Sequence, residues 1–145
     1  MNGGKTSITL KIGWILLTLV GTLLALGGLG SFYNAYSRGP DPMANVDIER
    51  LRELSPDLPT ILRGRRATAA AFSFATGVLL VWIAVVPYRR GERWAWQAVG
   101  TSVAFAFMLS LLRMPMLDTR VGAGVAGVGL TLTLLALAVS YKDMK

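Results

Sequence analysis

Four stretches of the chain run without a charged side chain: Ile12–Tyr33, Ala67–Val86, Ala95–Leu112 and Val121–Tyr141. At 1.5 Å per residue, roughly 20 residues cross a hydrocarbon layer of about 30 Å, and all four stretches come close to that length. A soluble protein can bury one such helix, but four in 145 residues would leave too little polar chain to cover them. The pattern predicts an all-α integral membrane protein forming a single transmembrane domain over residues 1–145. The expected architecture is a four-transmembrane-helix bundle with spans 12–33, 67–86, 95–112 and 121–141 and a polar loop at 34–66. Lys5 and Lys11 ahead of the first span resemble the start of a signal peptide, but the run is longer than a usual signal core. No clean cleavage site follows it, so a retained first helix is expected.

The connections carry their own signals. Gly39-Pro40-Asp41-Pro42 is turn chemistry, and Asn45 is placed to cap a short helix through Asp47–Leu54. Ser55-Pro56 reads as a second cap, with Pro59 expected to leave the segment after it short or irregular. Leu51, Leu54, Leu58, Ile61 and Leu62 fall at helical spacing, so the first loop is expected to contain short helices with one apolar face. That face would lie on the membrane surface or dock a partner. Between spans two and three, Pro87 stops a helix and Gly91 permits a reversal. Tyr88, Arg89, Arg90, Arg93, Trp94 and Trp96 together read as an interfacial anchor, rings at the head-group level beside guanidinium groups.

Small residues recur along the spans. In the fourth, Gly122, Ala126, Gly129, Thr133, Ala136 and Ser140 are spaced by four and three, with Leu130, Leu132, Leu134, Leu135 and Leu137 on other faces. Small side chains let helix backbones approach where lipid removes the hydrophobic drive between helices, and the 3.5-residue repeat favours a left-handed bundle. Gly122, Ala126, Gly129, Thr133 and Ala136 are therefore the expected helix-packing residues. Ala123–Gly127 is a shorter alternative. Thr18, Gly21, Ala25 and Gly28 repeat the rhythm in span one, Ala70, Ser73, Gly77 and Ala84 in span two, and Gln97, Thr101 and Ala104 in span three.

Composition changes this picture little. The net charge of +7 is spread over the segments flanking the spans, which points to lipid head groups and not to nucleic acid. Lys and Arg number seven on the side of the termini (Lys5, Lys11, Arg89, Arg90, Arg93, Lys142, Lys145) and eight on the other (Arg38, Arg50, Arg52, Arg63, Arg65, Arg66, Arg113, Arg120). The count does not orient the chain. Lys5 and Lys11 before the first span, with the dense Arg89–Arg93 turn, favour both termini in the cytoplasm of a multi-pass cell-membrane protein. The cluster Arg63, Arg65 and Arg66 argues the other way.

The chain has no Cys and no His, which removes thiol chemistry, disulfides and the commonest metal ligand and general base. No ionisable residue lies in mid-span, where proton relays and ion paths place one. No catalytic residue, metal site or cofactor is expected. The strongest polar group in a span, Gln97, sits near the edge and suits an interhelical hydrogen bond. Arg113, Asp118 and Arg120, with Glu49, Glu53, Asp57, Arg63 and Arg66, form a possible loop-side cluster whose plainest role is a solvated ion-pair network.

The Pro-broken first loop (DIERLRELSPDLPTIL) and the turn PYRRGERWAW give the chain a layout that resembles small four-helix prokaryotic membrane proteins, similar to the DoxX-like group. The resemblance covers the whole chain in layout but only the RRGERWAW turn in residues. Some DoxX-like proteins accompany quinone-linked oxidoreductases, but no matching redox group is present here to carry over. The expected function is that of a non-catalytic accessory or assembly subunit of a larger membrane complex. Its expected surroundings are the lipid bilayer and a membrane-protein partner or a second copy of itself. The alternative is a module that binds or transports a lipid, quinone or other apolar small molecule.

Overall fold

A computed structural model of the chain describes residues 7–37, 48–118, 120 and 122–145, and these residues form helices and turns only. Helix α1 covers Ile8–Tyr36, α2 Leu58–Val85, α3 Arg93–Ala98, α4 Phe105–Leu111, α5 Arg113–Leu117 and α6 Ala123–Ser140. A π-helical turn, Val99–Ala104, joins α3 to α4, and 3-10 turns occupy Ile48–Glu53, Tyr88–Arg90 and Tyr141–Asp143. Four helical segments, Ile8–Tyr36, Leu58–Arg90, Arg93–Leu117 and Ala123–Asp143, are long and apolar enough to cross a membrane. The Gly39–Pro42 turn, the Asn45 cap, Asp47, Arg38 and Val121 lie outside the described residues.

The largest boundary difference from the sequence expectation is at the second long helix. The second long helix starts at Leu58, not near Ala67, and runs 28 residues. Pro59 does not break it, because in the first turn the missing N–H has no intrahelical partner to lose. Arg63, Arg65 and Arg66 thus belong to α2 and not to the loop. The segment before it, Ile48–Glu53, is a 3-10 helix with none of its residues buried.

The chain divides into two compact units, residues 1–22 with 79–145 and residues 23–78. In the first, α6 packs on α4 and on the π turn. Its buried residues are Ala126, Gly129, Thr133, Ala136, Leu137 and Ser140, while Val125, Val128, Leu134 and Leu135 are exposed. Gly122 stands apart from this seam: it precedes the helix at φ 77°. The ring of Phe107 occupies the space a Cβ on Gly129 would need, with Cε1 at 2.6 Å. Gly13 approaches α6 likewise, its would-be Cβ 3.1 Å from Ser140 Cβ and 3.2 Å from the Ala136 carbonyl oxygen.

Span three buries only Ala104 of its predicted face. Gln97 and Thr101 are exposed, whereas Ala95, Val99, Val103, Ala104 and Phe107 are buried. The π turn is the physical reason. Its i→i+5 bonding winds more residues into a turn, so positions four apart stay on one side, and the alternating three–four spacing of an α-helix no longer applies.

In the second unit the approach of α1 to α2 is closer still. A Cβ on Gly28 would lie 2.6 Å from Phe74 N and 2.9 Å from the Ala70 carbonyl oxygen. Ser73 Oγ donates to the Leu24 carbonyl at 3.2 Å, and Arg66 Nε to Ser31 Oγ at 3.5 Å. The Ile48–Glu53 turn is tied to α2 by Glu49, whose carboxylate meets Arg63 at 2.6 Å and Arg52 at 2.9 Å.

Two sets of measurements follow. Gly28→Ala meets backbone, which no rotamer change relieves, so it should lower the melting temperature in detergent. Gly129→Leu should do the same through overpacking, at about 1–3 kcal/mol. Gly127→Ala has nothing within 4 Å and should be neutral or stabilising by up to about 1 kcal/mol, the cost of Gly in a helix. Equal melts for the three variants would remove the close approaches as stabilising features. For Glu49, the hydrogen bond from Arg52, aided by the nearby charges of Arg63 and Arg52, holds the carboxyl below its ordinary range. A carboxyl lowered by folding stabilises above its unfolded pKa and ceases to do so as pH falls through its folded one. Any melting difference between wild type and Glu49→Gln should therefore be present at neutral pH and disappear only as pH falls below the ordinary Glu range of about 4.3.

Candidate functional site

Within the first unit, the Pro87–Trp96 turn, the start of α1 and the end of α6 come together at one end. Pro87 and Tyr88 open a 3-10 turn that Gly91 closes at φ 77°, its N–H bonding the Tyr88 carbonyl. Glycine is required twice over here, because a Cβ would also lie 2.9 Å from the Asp143 carbonyl oxygen. The segment after α6 folds back onto this turn. Lys145 N–H donates to the Gly91 carbonyl at 2.8 Å, and Arg93 N–H to the Lys145 carbonyl at 3.0 Å. Thr9 adds a hydroxyl to the Asp143 carboxylate.

The anchor residues divide by environment. Tyr88 is not a surface ring: it is fully buried, its hydroxyl 2.5 Å from Ser140 Oγ and donating to the Ala136 carbonyl at 3.1 Å. An amphipathic ring next to Arg reads as a head-group residue in sequence, but the tight turn after Pro87 directs this one against the small Ala136–Ser140 face. Arg89 is exposed and lies over the Trp14 ring at 5.3 Å, a cation–π contact. Arg90 is exposed and 3.9 Å from Glu92. The other oxygen of Glu92 accepts from Trp94 Nε1 at 2.6 Å. Trp96 donates Nε1 to the Leu137 carbonyl at 2.8 Å and tilts against Tyr141 with ring centres 5.6 Å apart.

A groove of about 260 Å³ lies between α3 and the folded-back segment, lined by Arg93, Trp96, Gln97, Tyr141, Lys142 and Met144. Gln97 opens onto it, so it does not form the interhelical bond that its place in a span suggests. Sequence alone could not find this groove, because half of its wall comes from a five-residue tail that carries no motif.

The loop-side residues are less organised. Arg113, Asp118 and Arg120 are exposed. Arg113 Nε donates to the Ser110 carbonyl at 3.3 Å, and Asp118 ends α5 in the left-handed conformation at φ 47°. Glu53 and Asp57 are exposed too, and Glu49 is held by Arg52 and Arg63. Among the described residues, no three acidic side chains converge as metal ligands would.

Comparison with protein-family models, with curated proteins and with solved structures gives no match for this chain.

The Tyr88 hydroxyl is a small part of what that side chain contributes. Tyr88→Phe leaves Ser140 Oγ still bonded to the Ala136 carbonyl at 2.6 Å, so it should cost about 1 kcal/mol, the net worth of one hydrogen bond. Tyr88→Ala empties a buried ring site and should cost about 3–5 kcal/mol. Thermal melts of the two variants in detergent check the order; a Phe variant as unstable as the Ala variant would make the hydroxyl the dominant contribution.

Proposed function

We propose that this chain is a multi-pass protein of the cell membrane, acting without chemistry of its own as an accessory or assembly subunit of a larger membrane complex. One observation carries the reading. In each of the four long helical segments, only between 22% and 33% of the most apolar stretch is buried. Along α1 alone, Ile12, Ile15, Leu19, Leu23, Leu26 and Leu29 are all exposed. Side chains turned outward at that length suit lipid or another membrane protein, since soluble monomers rarely expose apolar patches beyond a few hundred Å². Left-handed packing of the spans belongs to the same proposal, supported by the small-residue repeat of α6, and so does the layout resemblance to the DoxX-like group.

Cytoplasmic termini are supported by the basic end of the first unit, where the Arg89–Arg93 turn and the Lys142–Lys145 segment adjoin. The alternative, a module for a lipid, quinone or other apolar molecule, has one feature in its favour. An apolar hollow of about 180 Å³ in the second unit is lined by Gly28, Leu29, Phe32, Ala70, Ala71 and Phe74. It is smaller than the roughly 300–1,000 Å³ of ligand pockets, which favours the subunit reading.

Purification from native membranes in mild detergent tests the choice. A stoichiometric larger partner is the expected result; a bound apolar molecule with no partner would replace the proposal with the alternative. Topology is read separately, since the chain has no Cys. A cysteine placed at Ser55 should react with an impermeant reagent on intact cells, and reaction only after lysis would invert the orientation.

A further inference from the structure

We propose that the groove between α3 and the Tyr141–Asp143 turn binds the phosphate group of an anionic phospholipid. The charge at this end is unbalanced: its segments carry Lys11, Arg89, Arg90, Arg93, Lys142 and Lys145 but only two side-chain carboxylates, Glu92 and Asp143. Both acids are engaged elsewhere, Glu92 by Trp94 and Arg90, Asp143 by Thr9. Arg93 and Lys142, which line the groove, have no ion-pair partner among the described residues. A guanidinium and an ammonium borne by residues that line one hollow match a phosphate, the first through its planar fork and the second as a point charge.

The rest of the wall selects the kind of phosphate. Trp96 is locked by its bond to the Leu137 carbonyl and by the Tyr141 ring, so the two rings form a fixed amphipathic surface. Such rings suit the glycerol level of a lipid, and Gln97 adds an amide for its oxygens. A hollow of about 260 Å³ is below the roughly 300–1,000 Å³ of pockets that enclose a whole small molecule. It fits a head group whose acyl chains lie outside, along the exposed apolar side chains of α4 and α6 such as Phe105 and Leu134. An inorganic phosphate would use the two cations and leave the aromatic wall without a role.

The lipid source rests on the membrane reading, and the experiment separates the two. Wild-type protein in an uncharged detergent is titrated with phosphatidylglycerol and, in parallel, phosphatidylcholine, and bound lipids are counted by native mass spectrometry. One phosphatidylglycerol should be held in preference to phosphatidylcholine. Arg93→Gln with Lys142→Gln should weaken it roughly ten- to thirty-fold, as expected for two surface cations. Lys11→Gln with Lys145→Gln removes the same charge at the same end but outside the groove, and should change binding by less than about threefold. Equal loss in both pairs, or no preference in the wild type, would overturn the site. Displacement of the lipid by excess inorganic phosphate would overturn the lipid source. Release of the wild-type protein from membranes by alkaline carbonate would defeat the membrane reading itself; retention without lipid preference would defeat the site alone.

Discussion

A buried polar group has to find its hydrogen-bond partner within the protein, and among the described residues the long apolar helices meet this requirement largely from their own backbones. Thr18, Thr22, Thr68, Thr101, Ser110, Thr131, Thr133 and Ser140 each donate to the carbonyl four residues earlier on their own helix. Three side chains that reach across also end on a carbonyl: Ser73 on Leu24, Tyr88 on Ala136, Trp96 on Leu137. Among the described residues no buried side-chain nitrogen or oxygen is left without a partner. The helices can therefore be lined with hydroxyls and still present apolar outer faces.

That economy sets how the helices meet. With hydroxyls folded back on their own turns, the facing surfaces are smooth, and glycine decides where backbones come close. Gly28 against Ala70 and Phe74 and Gly13 against Ala136 are two such places, and Gly129 makes room for the Phe107 ring. Glycines with open space around them, such as Gly27, Gly124 and Gly127, share the composition but not the geometry.

The sequence made the four apolar helices legible because length and the absence of charge depend only on local composition. The α6 seam from Ala126 to Ser140 was legible for a related reason: its three–four spacing runs through an uninterrupted α-helix. The same reasoning fails in span three, because Thr101 lies within a π turn, where the alternating three–four spacing of an α-helix does not hold. It fails for Tyr88, because the rule for interfacial rings says nothing of a tight turn that aims one inward. The groove at Arg93 and Lys142 was invisible, since backbone bonds between Lys145 and the Gly91–Arg93 turn create it. No pattern of residue types announces such a pairing.

The π turn at Val99–Ala104 has one further consequence. Relative to an α-helix it accommodates one surplus residue, held in place by the buried Val99, Val103 and Ala104. Removing one residue together with the π turn would leave α4 facing α6 as it does, but winding the full segment as an ordinary α-helix would advance α4 by about 100° around its axis. Phe107 would swing away from Gly129, and one of the exposed neighbours, Phe105 or Met108, would turn toward α6. The packing of the last helix thus depends on the winding of this segment as much as on the identity of any side chain in contact with it.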